Sequence, residues 1–242
     1  MPKQKTMLRK NILNNNLSRP DWVKQNHRSL DRDWLDKNEC SDPKMNRIVM
    51  NSLKEISSEA SFTYPNLETL YAKVAAFSNV LSENILLTAG SDGAIRACFE
   101  SCIESGDRII LSRPTFAMYS VYSKIYGAQV TWLDYDKSTN GPILKVDKIV
   151  TVIHEVRPKM VCLPNPDSPT GTVFSLIDLK KIIDASEVVG ALILIDEAYH
   201  PLYEETVAPL IYEYKNLVVV RSFSKAWGAA GLRVGYALAN ND

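Results

Sequence analysis

At 242 residues the chain is long enough for one sizeable α/β domain, with little left over for a complete second one. Its 28 lysines and arginines balance 28 acidic residues, so net charge gives no reason to expect nucleic acid, and a hydrophobic content of 45 % suits an ordinary globular protein. The apolar stretches are far too short for a membrane-spanning helix, and Met1-Pro2-Lys3-Gln4-Lys5 lacks the apolar core of a signal peptide, so a cytoplasmic protein with no membrane partner is expected.

Residues 1–34 are polar and rich in asparagine, lysine and arginine, which predicts an extended or partly ordered arm. Residues 35–62 form a segment leading into a main domain at 63–242. Leu67, Leu70, Tyr71, Val74 and Phe77 fall on one face of a helix over 66–78, which leads into a strand at 85–88 and a helix over 93–104. A strand at 108–111 follows, then a helix opened by Pro114 and running to Tyr126, a strand at 130–133, and a helix over 146–156. Strand 160–163, helix 176–188, strand 192–195, a helix within 207–214 and strands at 217–220 and 234–238 bring the expected strands to seven. Such alternation predicts an α/β fold with a mostly parallel seven-stranded sheet, helices on both faces, and ligands at the carboxyl ends of the strands. The four cysteines have no Cys-x-x-Cys spacing; Cys98 and Cys102 share one helix face and are expected to be structural thiols. His27, His154 and His200 have no ligand spacing for a metal, and His200 is expected to be structural.

Chemistry gathers at strand ends. The run Val218-Val219-Val220 delivers Ser222, Ser224 and Lys225 into a turn, with Arg233 eight residues beyond the lysine. Hydroxyls and a fixed guanidinium suit a phosphate, and neighbouring cations would lower the lysine's pKa. The strand before it carries out Asp196, with Glu197 a rival for the same role; an apolar strand end obliges a carboxylate to find a partner. Tyr199 either donates its hydroxyl or packs. Leu163-Pro164-Asn165-Pro166-Asp167-Ser168-Pro169-Thr170-Gly171 is a stiff loop presenting the Asn165 amide. Thr88-Ala89-Gly90-Ser91-Asp92-Gly93 is a strand-to-helix turn whose N–H groups can receive an anion, although Ser91 or Asp92 could equally be a helix cap. One lysine, one carboxylate and one amide at strand ends is an arrangement suited to pyridoxal 5'-phosphate.

The motifs N-P-x-x-P-T-G, D-E-A-Y and S-F-S-K-A-x-G-x-x-G-L-R-x-G occur in order, 31 residues separating Asn165 from Asp196 and 29 separating Asp196 from Lys225. Together they resemble the class I/II, fold-type I pyridoxal-phosphate aminotransferases, most closely the histidinol-phosphate branch, over roughly residues 35–240. The resemblance implies that Lys225 holds the cofactor as a Schiff base and shuttles the proton, with Asp196 on the ring nitrogen and Asn165 and Tyr199 on the ring oxygen. Ser91, Asp92, Gly93, Ser222 and Arg233 would surround the phosphate, and Phe116 would stack on the ring. Tyr64 would reach the neighbouring subunit's phosphate in a homodimer, or else be an ordinary turn aromatic. Asn38 and Glu39 would border the substrate pocket. The reaction implied moves an amino group from a small-molecule donor, histidinol phosphate being favoured, to a 2-oxo acid. A decarboxylase of the same fold remains an alternative. Asp167 departs from the asparagine often found in that loop. The sequence stops at Asp242, before the family's small domain and its substrate-carboxylate arginine, so a third expectation is an incomplete piece with poor cofactor binding and little turnover.

Overall fold

The structure is a computed structural model that describes residues 8–13, 17 and 36–242. Most of the expected arm at 1–34 therefore lies outside the described residues, although Lys10–Leu13 (α1) forms one helical turn beside the Arg9 guanidinium, which lies 5.5 Å from the Tyr126 ring centroid. Seven strands, Ile85–Thr88 (β1), Arg108–Arg113 (β2), Gln129–Asp134 (β3), Met160–Pro164 (β4), Leu192–Asp196 (β5), Leu217–Ser222 (β6) and Gly235–Ala239 (β7), form one sheet in the order β1-β7-β6-β5-β4-β2-β3. All neighbours are parallel except β7, which runs antiparallel to both β6 and β1.

Period-two alternation sorts the strand side chains between two cores. Ile109, Leu111, Met160, Cys162, Leu194 and Val220 pack in the cluster that contains Ile95 and Phe99 of α4 (Gly90–Cys102) and Tyr119 and Tyr122 of α5 (Ala117–Tyr126). Ile110, Val161, Leu163, Ile193, Ile195 and Val219 pack on the other side, with Ile149 and Ile153 of α6 (Val146–Val156) and Ile182 and Ile183 of α7 (Leu176–Val188). These strand residues are at most 1 % exposed, and burial of each is worth on the order of 2 kcal/mol. The chain winds outward from β2 through α5 to β3, then returns through α6 to β4. The carboxyl ends of β2 and β4 therefore flank the point where the winding reverses, the usual position of a ligand crevice.

Several boundaries differ from expectation. Helix α4 begins at Gly90, so Ser91, Asp92 and Gly93 occupy its first turn. Pro114 does not open α5, which starts at Ala117 with Phe116 at its N-cap. The helix expected within 207–214 is a 3-10 stretch over Ala208–Tyr212. Patterning also misses one helix, α2 (Pro43–Lys54), and starts another two residues early, α3 spanning Glu68–Ser78 where 66–78 is expected. Residues of α2 are all exposed or half-exposed, so no burial pattern marks it; the available signal was Asp42, whose carboxylate caps Lys44 N–H at 2.9 Å, followed by Pro43 in the first turn.

Candidate active site

Alternation along β5 and β6 decides which carboxylate is available for chemistry. Asp196 continues the side of Leu194 and Ser222 the side of Val220, whereas Glu197 and Arg221 fall on the opposite side. Glu197 is consumed there. Its Oε2 accepts from Arg221 Nε at 3.0 Å and Nη2 at 2.8 Å, and its Oε1 accepts from Val207 N–H at 2.9 Å. Thr206 donates its hydroxyl to the same carboxylate. The rivalry between the two acids is thereby resolved by strand register. Asp196, 5 % exposed, accepts from Ala198 N–H at 3.0 Å and from the Tyr119 hydroxyl at 3.2 Å, and its side chain lines a cavity of about 540 Å³. Burial pushes its pKa up to about 7, against the opposing pull of those two donors and of Lys225.

The cavity's other end is built for an anion. Ser91 and Asp92, in the first turn of α4, line it together with Ser222, Ser224 and Arg233. Tyr122 donates to Asp92 Oδ1 at 3.0 Å, which orients that side chain. Arg233 adopts φ 54° and donates from Nη1 to Ser224 Oγ at 3.3 Å and to the Ala230 carbonyl at 3.2 Å. Its Nη2 would stand 2.8 Å from a Cβ added to Gly90, which itself has φ +77°, so the guanidinium lies directly against the helix start. Ser222 Oγ accepts from Ser224 N–H at 3.0 Å and holds the turn before Lys225. Free helix N–H groups, hydroxyls and a fixed cation converge here. Gly93 does not line the cavity; a Cβ there would meet Thr88 Cβ at 3.2 Å.

Lys225, Tyr199, Phe116, Asn38 and Glu39 line the same cavity. The Lys225 ammonium donates to the Lys37 carbonyl, and Asn38 Nδ2 donates to the Tyr199 hydroxyl at 2.7 Å, so residues 36–39 cross the mouth. Phe116 is set edge-on to Tyr119, with centroids 6.1 Å apart. Besides Gly93, two expected residues stand elsewhere. Asn165 is 1 % exposed, absent from the cavity wall, and bonded through both ends of its amide to the Phe174 backbone. Tyr64 is fully exposed and outside its own chain's cavity. His200 also lies apart from the cavity, edge-on to Phe77 at 5.7 Å, with its pKa pushed down to about 4 by burial and then by the charge of Arg221.

Sequence reading misses Tyr119 as the partner of Asp196, Arg221 as the partner of Glu197, and Ser168 as a cavity residue. The first two contacts link residues 77 and 24 positions apart and carry no local signature.

Residues 34–242 match the family described as aminotransferase class I and II. The histidinol-phosphate aminotransferase of Thermoanaerobacter pseudethanolicus is 38 % identical over 210 residues, which cover 86 % of this chain and 58 % of that protein. A solved putative histidinol-phosphate aminotransferase from Erwinia carotovora atroseptica superposes with a TM-score of 0.69 at 26 % identity, over 85 % of this chain and 60 % of that one. The Sinorhizobium meliloti histidinol-phosphate aminotransferase, solved in complex with pyridoxal-5'-phosphate, gives a TM-score of 0.69 at 20 % identity over 85 % and 55 % of the two chains, a likeness of fold. The chain thus spans little more than half the length of these relatives.

Proposed function

Since the chain belongs to the aminotransferase class I and II family, we propose that it carries the cofactor site of a pyridoxal-phosphate-dependent aminotransferase. The donor would be an L-amino acid or amino-alcohol phosphate, the acceptor a 2-oxo acid, and histidinol phosphate the favoured donor because the similar proteins bear that activity in their names. The observation that carries this reading is one cavity with an anion cradle at one end, a lysine within it, and a buried carboxylate whose pKa of about 7 calls for a cation beside it. The residues fit the group: Ser91, Ser222, Ser224 and Arg233 match a phosphate, Asp196 a protonated ring nitrogen, and Phe116 a ring face.

When bound, pyridoxal phosphate supplies an electron-withdrawing ring that holds the charge left as the substrate's α-proton departs. Lys225 Nζ would hold the cofactor through its carbonyl carbon, water leaving as that bond forms, and once displaced by the donor's amine it would be placed to take and return that proton. Asp196 would hold the proton on the ring nitrogen, with Tyr119 and Ala198 N–H keeping its carboxylate in place. The Tyr199 hydroxyl would donate to the ring oxygen, and residues 36–39, tied to Lys225 and Tyr199, would cover the bound group. A homodimer in which Tyr64 serves the neighbouring site suits its complete exposure here. Among the described residues no helix is long and apolar enough to cross a membrane, and free cysteines suit a cytoplasmic address.

The test is to add pyridoxal phosphate, reduce with borohydride and map the labelled peptide, then mix the loaded protein with histidinol phosphate, glutamate and 2-oxoglutarate. Label on Lys225, with spectral change on mixing with an amino donor, is expected. Label spread over surface lysines and undiminished in Lys225→Ala would defeat the reading.

A further inference from the structure

Three linked hydrogen bonds beneath the cavity wall have directions that follow from counting protons. The Pro142 carbonyl, between β3 and α6, accepts from Thr172 Oγ1 at 3.0 Å; a carbonyl has no proton to give, so the Thr172 hydroxyl proton is committed there. Thr172 Oγ1 also lies 3.0 Å from Thr170 Oγ1, and the proton between them must then come from Thr170. Thr170 Oγ1 lies in turn 2.6 Å from Asp167 Oδ2. Each hydroxyl carries one proton, and that of Thr170 is already given to Thr172. The proton in the last contact therefore belongs to Asp167.

The surroundings of the carboxyl group agree. Asp167 is 2 % exposed, its Oδ1 has no hydrogen-bond partner, and among the described residues no lysine, arginine or histidine pairs with it. An ionised carboxylate is costly in such a place, a neutral acid much less so. Ser112 on β2 and Tyr135 just after β3 face the same group. Tyr135 is the titratable one, and burial pushes its pKa up to about 12, so it brings no charge. Burial likewise raises the pKa of Asp167, against the pull of Thr170, Tyr135 and Ser112. The backbone connects this group to the cavity. Asp167 N–H donates to the Thr172 carbonyl at 2.8 Å and Gly171 N–H to the Asp167 carbonyl at 2.9 Å, while Pro166, Ser168 and Pro169, on either side of Asp167, line the cavity.

We propose that Asp167 is a positioning residue that acts as a neutral carboxylic acid, the first donor in a one-way relay from Asp167 through Thr170 and Thr172 to the Pro142 carbonyl, which fixes the cavity wall formed by the loop after β4. Ionisation reverses the first bond. Thr170 then turns its proton toward Asp167, and the tie to Thr172 and the β3–α6 loop is lost. The wall is held below the Asp167 midpoint and released above it. An asparagine can stand in for the acid, because its Nδ2 donates without titrating. The consequence for cofactor affinity rests on the pyridoxal-phosphate reading above; the protonation of Asp167 does not.

The first test is a pH titration of protein labelled with carbon-13 at the aspartate carboxyl carbons, the resonance missing from Asp167→Asn being that of Asp167. Its midpoint is expected above the ordinary aspartate value. A midpoint at or below that value overturns the proposal. Pyridoxal phosphate affinity is then followed through the measured midpoint. The parent should lose about fivefold in affinity relative to Asp167→Asn, the worth of one hydrogen bond, and Asp167→Ala should be weaker by a similar factor already below the midpoint. Parallel profiles for the parent and Asp167→Asn overturn the positioning role. Failure of the parent to bind pyridoxal phosphate at any pH overturns the cofactor reading, while the carboxyl titration still decides for or against the neutral acid.

Discussion

Tyr119, fully buried on α5, donates its hydroxyl to Oδ2 of Asp196 at 3.2 Å, and so links the helix that follows β2 to the acid at the end of β5. Burial raises the phenol's pKa well above its usual value, with the Asp196 charge adding to the effect, so Tyr119 remains a donor throughout the physiological range.

Asp196 should make the stability of the cofactor-free protein fall with rising pH. Its folded pKa is raised from 3.8 to about 7, so between those values the folded chain holds a proton that the unfolded chain has lost. Stability is then greatest near pH 4, declines to about pH 7 and is level above that. At 1.36 kcal/mol per unit, the full penalty is on the order of 4 kcal/mol. Asp196→Asn should remove it, raising the melting temperature at pH 8 and leaving it nearly unchanged at pH 4. Equal stability of the two proteins at pH 8 would refute the raised pKa.

Tyr119→Phe takes away one of the donors that favour the ionised carboxylate, so the pH at which Asp196 titrates moves further up. In the loaded protein this weakens the hold on the ring-nitrogen proton. Half-reaction rates at neutral pH should drop by roughly tenfold or more, as for loss of a hydrogen bond to a charged group. Cofactor affinity should change less, because the phosphate contacts are untouched. Stopped-flow rates and a pH profile indistinguishable from the parent's would show that the contact is only structural.

The ion pair on the sheet's other side makes a separate prediction. Arg221 and Glu197 have side chains 3 % and 2 % exposed, and Thr206, Ser78 and the Val207 N–H also bond the pair. Arg221→Met alone strands a buried carboxylate and should cost about 3–5 kcal/mol in urea unfolding. Adding Glu197→Gln removes the uncompensated charge, and the double variant should recover part of that loss. A double variant less stable than the sum of the two singles would mean that the pair does not compensate in this way.

How much of this was legible in the sequence follows from the range of each signal. Strand and helix periodicity is local, so the seven strands and the helices 146–156 and 176–188 could be read directly. The motifs likewise put Asp196, Lys225, Ser222 and Arg233 at strand ends, and all four line the cavity. In the loop after β4 the same approach reaches Asn165 and stops there. A stiff loop with a conspicuous amide says nothing about which way that amide points, and the deciding contact, with Phe174, comes from the turn leading into α7. Tyr119 was hidden for a similar reason: it reads as one more apolar position of an amphipathic helix until the sheet places Asp196 beside it.

Gly235 should prove the least replaceable glycine of the anion cradle. It opens β7 opposite Thr88, and a Cβ there would lie 2.4 Å from Gly90 C, 2.4 Å from Ser91 N and 2.7 Å from the Arg221 carbonyl oxygen. All three are backbone atoms, so no side chain can swing aside to relieve the clash. Gly235→Ala must therefore push the start of α4 away from β7, separating Ser91 N–H from Ser222 and Arg233 on the facing turn. Overpacking of this kind costs about 1–3 kcal/mol, and displaced donors no longer converge on one anion. Gly231 provides the contrast, because a Cβ there meets open space and φ requires no glycine. In thermal melts with increasing inorganic phosphate, the parent and Gly231→Ala should gain stability in parallel. Gly235→Ala should start lower and gain little. A Gly235→Ala protein that melts with the parent and responds equally to phosphate would show that the helix start and β7 do not need to be this close.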